Sequence, residues 1–289
     1  MNILVTGGAG YIGSILTEEL VVQGHEVVVY DNLVMGHRSA VHPDAVFVEA
    51  DIADTDVLTR TLKDHSVEAV MHLAAFTSVG ESVAHPEKYI QNNYVASVSL
   101  LDAMVGSGVK RIVFSSTAAV YGEPKKVPLT EEDETSPINT YGESKLAVEK
   151  ALWNHHKNHG LRFVTLRYFN VGGASIKNGE WHNPETHLIP DILNTARGKD
   201  QILEIYGNDY PTPDGTCIRD YIHVQDLAKA HILALKNLDS FSGVYNLGTG
   251  IGNSVNEVIE VARRVTGQPI PVKFIERRPG DPAILTASA

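Results

Sequence analysis

Short apolar runs at residues 2–6, 26–30, 45–49, 68–73, 111–115 and 161–167 alternate with stretches of helical periodicity at 11–24, 54–65, 86–106 and 141–159. Strand-like and helix-like segments in turn along one chain predict a parallel sheet with helices on both faces. In such a sheet, ligands gather beyond the carboxyl ends of the strands. The residues with chemistry to offer stand at those ends. Gly7 to Gly13 follow the first run, Asp31 the second, Asp51-Ile52 the third and Ser115-Ser116-Thr117 the fifth, while His72 to Ala75 close the fourth. After about residue 170 the pattern loosens into Gly, Asn and Pro with shorter elements, including Gly172-Gly173 and the loop 207–215. Two units are therefore expected, 1–170 and a smaller α/β lobe over 171–289. The helical segment 224–238 and the apolar run 243–248 are expected to return part of 221–250 to the first sheet. No low-complexity linker or internal repeat interrupts the chain, and the acidic run Glu131 to Glu134 reads as a solvated loop.

Composition narrows the partners. With 289 residues and 43% hydrophobic content the chain can fill one large core or two lobes. Lys plus Arg at 24 against Asp plus Glu at 35 gives a net charge of -11, which disfavours nucleic acid and anionic membrane as partners. The lone Cys217 excludes an internal disulfide, no apolar run is long enough to span a bilayer, and the opening residues read as a strand without a cationic lead. A soluble cytoplasmic protein is the expectation. His155, His156 and His159 raise the question of a metal, but they read as the solvated polar end of a helix stopped by Gly160, with no carboxylate or Cys to complete a ligand set. No metal is expected.

Gly7, Gly10 and Gly13 follow G-x-x-G-x-x-G between the first strand and the first helix, with Tyr11 and Ile12 opening that helix. Small residues let the backbone turn tightly and approach a pyrophosphate, which the helix N-terminus then stabilises. The second apolar run ends at Asp31, where a carboxylate grips a ribose hydroxyl and repels a 2′-phosphate, favouring NAD over NADP. A simple loop-capping role for Asp31 is the competing reading.

Tyr141 and Lys145 lie four residues apart, on one face of a helix. A phenol titrates near pH ~10, but a nearby ammonium and a bound nicotinamide cation favour the phenolate and make a base. A hydroxyl from the 115–117 stretch, brought to the same crevice, suits a hydrogen bond to the reacting oxygen. Together these residues fit hydride transfer at an alcohol carbon, with an ordinary surface Tyr and Lys and strand-ending hydroxyls as the competing reading.

With these stretches the chain resembles the extended short-chain dehydrogenase/reductase family, and within it the nucleotide-sugar epimerases. The resemblance covers essentially the whole chain. It rests on Thr6 to Gly13, His72 to Ala75 with Val79 to Ser82, Phe114 to Gly122, Tyr141 to Lys145, Arg167 to Asn170, Tyr206 to Thr212 and Asp214 to Val224. It implies a Rossmann-type doubly wound parallel sheet with a smaller C-terminal α/β substrate lobe. It also implies a tightly held NAD and epimerisation at C4 of a UDP-hexose, UDP-glucose or UDP-galactose, through a 4-keto sugar. By the same resemblance Thr117 and Tyr141 form the catalytic pair with Lys145 assisting, and Asp31, Asn32, Asp51, Ile52, Ala74 and Asn93 join Gly7, Gly10, Tyr11, Ile12 and Gly13 in holding NAD. Asn170, Leu188, Arg219, Arg278 and Asp281, with Thr117, match positions for the UDP-sugar; planar guanidinium forks suit a diphosphate. Related dehydratases carry an Asp-Glu pair after the catalytic hydroxyl, where this chain has Ala118 and Ala119. A homodimer through the segments 86–106 and 141–159 is implied, with Val98, Leu101, Leu146, Val148 and Leu152 as candidate apolar contacts.

Two departures stand out. His187 occupies a position where many members have Asn, and the chain reaches Ala289 before the closing helical segment that the resemblance implies, so the lobe 171–289 is expected to be cut short. Two alternatives stay open. One is an epimerase of UDP-N-acetylhexosamines or of another nucleotide sugar, for which a small residue near Ile284 and Leu285 would admit an acetamido group; the other is a non-catalytic NAD-binding protein.

Overall fold

Residues 1–289, apart from 183, 200, 201, 241, 279 and 289, are described by a computed structural model, so the expectation about the chain's end at Ala289 falls outside the described residues. The six apolar runs become β1 (Asn2–Thr6), β2 (Glu26–Asp31), β3 (Val46–Glu49), β4 (Ala69–His72), β5 (Arg111–Thr117) and β6 (Arg162–Tyr168). Three short strands follow, β7 (Asn170–Gly172), β8 (Leu203–Tyr206) and β9 (Ile218–His223), then β10 (Gly243–Leu247). The large sheet has seven strands in the order β10-β6-β5-β4-β1-β2-β3, all pairs parallel. The strand 243–247 therefore returns to the first sheet, beside β6.

Helices on both faces follow from the period of a strand. In β1, Ile3 and Val5 point to one side and Leu4 to the other. Ile3 and Val5 meet Ile15, Leu16 and Leu20 of α1 (Tyr11–Val22). Leu4 faces Leu58 and Leu62 of α2 (Thr55–Asp64). The chain continues through α3 (Val79–Ala84), α4 (Pro86–Tyr89), a π-helical turn over Ile90–Val95, α5 (Ala96–Gly106) and α6 (Thr140–His159). Each fully buried Leu, Ile or Val side chain contributes about 1.5–3 kcal/mol relative to exposure, so both faces are needed to hold the sheet. The single helix expected over 86–106 is thus interrupted by a π-turn, a feature that frequently marks functional sites.

Leu101, Val148 and Leu152 are buried in the chain's own core, packed with Leu100 and Phe163. They were candidate dimer contacts, and the structure corrects that reading. An apolar stripe on a helix covering a sheet belongs to the sheet before it belongs to a partner.

The second lobe is completed by α7 (Leu188–Ala196), α8 (Val224–Asn237), α9 (Val255–Thr266), β11 (Gly252–Ser254), β12 (Val272–Ile275) and β13 (Ile284–Leu285). β9 pairs with β11, β13 and β7, while β8 pairs with β12. Ile192, Leu203, Ile205, Val255 and Ile259 form a separate small core there, whereas α8 packs on the large sheet through Leu227, Ile232 and Leu235. The last described residues are sewn in by backbone bonds: Leu129 N donates to Thr286 O at 2.8 Å and Ser288 N to Leu129 O at 2.7 Å. Among the described residues no helix is long and apolar enough to cross a membrane.

Candidate active site

A cleft of about 910 Å³ runs from the glycine turn, past the carboxyl ends of β1, β2, β4 and β5, to the second lobe. At its first end the backbone itself is the binding surface. Gly7 has φ +70° and a Cβ there would lie 2.7 Å from Ala74 N, while a Cβ on Gly13 would lie 2.1 Å from Gly7 O. Only glycine allows α1 to start this close to the turn, leaving the first N–H groups of a helix with no acidic residue in its first turn open to an anion. This cradle, with Tyr11 and Ile12 also on the wall, fits a dinucleotide pyrophosphate.

Asp31 closes β2 and is 8% exposed. Its Oδ2 accepts from Ala9 N at 3.0 Å and its Oδ1 from Leu33 N at 2.8 Å, so it does cap the following loop. Burial pushes its pKa up and these two bonds pull it down. Each oxygen keeps a second lone pair, so loop capping and a ribose contact are compatible. Asn32 donates to Asp51 Oδ2 at 2.8 Å, and both line the cleft with Ile52 and Ala74. Asn93 does not. It is 1% exposed, its Oδ1 accepts from Phe76 N at 2.9 Å and its Nδ2 donates to Phe76 O at 2.9 Å and Ser144 Oγ at 3.3 Å. The π-turn puts Asn92 on the cleft wall and Asn93 behind it, where Asn93 positions Phe76.

In the middle of the cleft α6 brings Tyr141 and Lys145 to the end of β5. Asn139 sets the register of that helix, its Oδ1 accepting from Gly142 N at 2.9 Å. The Tyr141 hydroxyl is hydrogen-bonded to Thr117; burial, opposed by this bond, pushes the phenol up to about 12. Lys145 is 3% exposed, its Nζ donates to Ser115 O at 2.8 Å and sits 4.9 Å from the Phe114 ring centre. Burial lowers its pKa to about 7, opposed by Glu149. Burial thus works against each charge separately, and a phenolate–ammonium pair is the arrangement in which the two charges offset one another. His72, at the end of β4, is held by Thr6 Oγ1 and Ser97 Oγ, each at 2.7 Å, and burial, then Lys145, drives its pKa down to about 3. It is a neutral structural residue.

At the far end Asn170, Leu188, Arg219, Arg278 and Asp281 all line the cleft. Arg219, 8% exposed, donates to Ile218 O at 3.0 Å and Pro282 O at 2.8 Å, and its Nη2 is 3.6 Å from Asp281 Oδ1. The Arg278 guanidinium stacks 3.7 Å above the centre of the Tyr206 ring. Leu285 lines the same wall, and Ala118 and Ala119 present only methyl groups beside Thr117.

This convergence of glycine cradle, acidic strand end and Tyr-Lys pair has known counterparts. The profile of the NAD dependent epimerase/dehydratase family matches residues 3–248. The chain belongs to this family. It is 52% identical to the UDP-glucose 4-epimerase of Lacticaseibacillus casei, over 100% of this chain and 88% of that protein. A crystal structure of UDP-glucose 4-epimerase from Brucella ovis in complex with NAD superposes with a TM-score of 0.95 at 49% identity, over 99% of this chain and 89% of that one. The Bifidobacterium longum UDP-glucose 4-epimerase in complex with NAD+ and UDP gives 0.93 at 38% identity, over 100% and 90%.

Within this family frame, two groups of residues were not found by reading the sequence. Beneath the cleft, Arg167 holds Glu149 with a bidentate pair at 3.0 and 2.7 Å, Ser116 Oγ donates to Glu149 Oε1 at 2.5 Å, and Arg167 Nη1 donates to Tyr121 OH at 2.9 Å. The available signal was spacing: Glu149 lies four residues after Lys145, on the same helix face. Above the cleft, Glu180, His182, Glu185 and His187 converge. The helix histidines weighed as metal ligands do not: His155 meets Asp102 at 3.0 Å and His156 meets Leu161 O at 2.7 Å.

Proposed function

We propose that this chain is a UDP-glucose 4-epimerase, which inverts C4 of the hexose in UDP-glucose and UDP-galactose with NAD as its cofactor. The observation that carries the reading is the meeting of Tyr141, Thr117 and Lys145 in one cleft whose two ends suit a dinucleotide and a diphosphate. Tyr141 takes the proton of the C4 hydroxyl and later returns it, Thr117 hydrogen-bonds the reacting oxygen, and Lys145 supplies positive charge that favours the phenolate. Bound NAD supplies a hydride acceptor that gives the hydride back. Between the two halves the substrate is a 4-keto sugar, and inversion requires that it turn over while its nucleotide stays put. Firm anchoring at the UDP end by Arg219 and Arg278, with methyl groups at Ala118 and Ala119 near the reacting carbon, suits that motion. Without an acid at those two positions the ketone has re-reduction as its outlet. The lobe carrying β8, β9 and α7 is then the substrate-binding part, and residues 1–170 with β10 and α8 the NAD-binding part.

The test is to give purified protein UDP-galactose without added cofactor: UDP-glucose should form, and its absence with NAD present in the protein would overturn the reading. The bulky Leu285 on the cleft wall favours a hexose hydroxyl over an acetamido group, so UDP-N-acetylglucosamine should be turned over far more slowly. Arg219→Ala should raise KM for UDP-sugar by about 10-fold or more with a much smaller change in kcat, since diphosphate contacts are alike in ground and transition states. UDP titration checks it, and wild-type affinity would remove Arg219 from the diphosphate. Asp31→Ala should weaken NAD and narrow its advantage over NADP, measured by calorimetry with both; an unchanged ratio would take Asp31 off the ribose.

A cytoplasmic homodimer belongs to the same proposal. The lone Cys217 fits a reducing compartment, and the outer faces of α4 to α6 still expose Val95 at 41% and Trp153 at 40%. Light scattering at micromolar concentration should report twice the chain mass; a monomer would refute the dimer.

A further inference from the structure

Between β7 and α7 the described residues of 173–187 form neither helix nor strand, an unusual length of irregular backbone for a compact lobe. It crosses the dinucleotide end of the cleft. Tyr11 OH donates to Gly173 O at 2.6 Å, Asn178 Nδ2 to Glu18 Oε1 at 2.5 Å, and the His37 ring stacks on Trp181 at 4.7 Å between centres. Glu180, His182, Thr186 and His187 line the cleft from this strap. A segment of this kind needs something internal to fix its shape.

Four of its side chains offer that. One ligand atom from each of Glu180, His182, Glu185 and His187 lies within 4.8 Å of the other three. Glu180 Oε1 is 3.4 Å from His182 Nδ1 and 3.0 Å from His187 Nδ1, and Glu185 Oε1 is 2.9 Å from His187 Nδ1. Donors bound at about 2.0–2.2 Å to a tetrahedral zinc stand roughly 3.3–3.6 Å apart, so these edges are already close to the size of a coordination tetrahedron. His182 Nδ1 is buried and faces Glu180 Oε1 at 3.4 Å, outside good hydrogen-bond geometry. Glu185 is held in place through Oε1, which accepts from Thr186 N at 2.8 Å and His187 N at 2.9 Å.

We propose that Glu180, His182, Glu185 and His187 form a structural site for a divalent transition metal of the zinc class, which sets the shape of the strap 173–187. Two imidazoles and two carboxylates suit zinc, whereas calcium and magnesium want oxygen alone. Two neutral rings, two carboxylates and one divalent cation sum to zero charge. All four donors come from the protein, which makes the site closed and structural, with no position left for catalysis. A proton shared among the same four groups is the competing arrangement.

The experiment uses untagged full-length protein stripped with a chelator and titrated with Zn2+ alone. Wild type should bind one equivalent, and hydrogen exchange over residues 174–187 should slow when it does. His182→Ala/His187→Ala should lose on the order of 100-fold or more in affinity, and His155→Ala should lose nothing. If the double variant does not fold, Glu185→Gln, which keeps the shape and loses the charge, should show the same weakening. A stripped wild type that takes up no stoichiometric Zn2+, or undiminished binding by the variants that fold, would overturn the site in favour of the proton-held cluster.

Discussion

Tyr141→Phe should lower kcat by about 10²–10⁴-fold, the usual worth of a positioned general base. The substitution keeps the ring that fills the wall of the cleft and removes only the hydroxyl bonded to Thr117. The fold and NAD binding should therefore be nearly unchanged, and the loss should appear in single-turnover reduction of the bound cofactor as well as in steady-state rates. Thr117→Val should cost less, because it removes one hydrogen bond to the reacting oxygen and leaves the base. The opposite ranking would exchange the two roles, and substantial turnover by Tyr141→Phe with an unaltered pH dependence would remove Tyr141 as base.

The large sheet was legible because its strands are short apolar runs separated by helical periodicity, and every run expected over the first 170 residues is a strand within a few residues of its expected bounds. The strand ends were legible for the same reason, and with them Asp31, Thr117 and the glycine turn. Side-chain direction was not. Asn92 and Asn93 are neighbours in sequence, and only the π-turn decides which of them faces the cleft. Leu101, Val148 and Leu152 have the spacing of an interface, but a sheet lay beneath them first. Histidines gathered on one helix drew the search for metal ligands to 155–159, whereas the converging set lies in irregular backbone, where no period brings residues 180, 182, 185 and 187 to one point. The resemblance supplied the far end of the cleft, since nothing in the pattern alone would bring Arg278 and Arg219 to the same cleft.

The phenolate–ammonium pair also depends on what lies under it. Arg167 is 5% and Glu149 3% exposed, and each is the other's charge partner. Arg167→Ala leaves Glu149 charged, buried and unpaired, which should destabilise the chain by about 3–5 kcal/mol, read as a fall in the urea midpoint. Replacing both, as Glu149→Leu with Arg167→Met, removes the two charges together and should recover most of that loss, because a buried pair is worth little against an apolar pair of similar volume. Catalysis should not recover with stability. Glu149 is the group that raises the pKa of Lys145 against the effect of burial, so without it Lys145 loses its proton at lower pH. The charged form exists below that pKa, and the alkaline limb of the pH profile for kcat should therefore move to lower pH in the double variant. A double variant that regains stability and keeps the wild-type alkaline limb would show that Glu149 holds the fold and does nothing for Lys145; one that stays as unstable as Arg167→Ala would mean that the cost falls on Ser116, which loses its bond to Glu149, and on Tyr121, which keeps only Asn246.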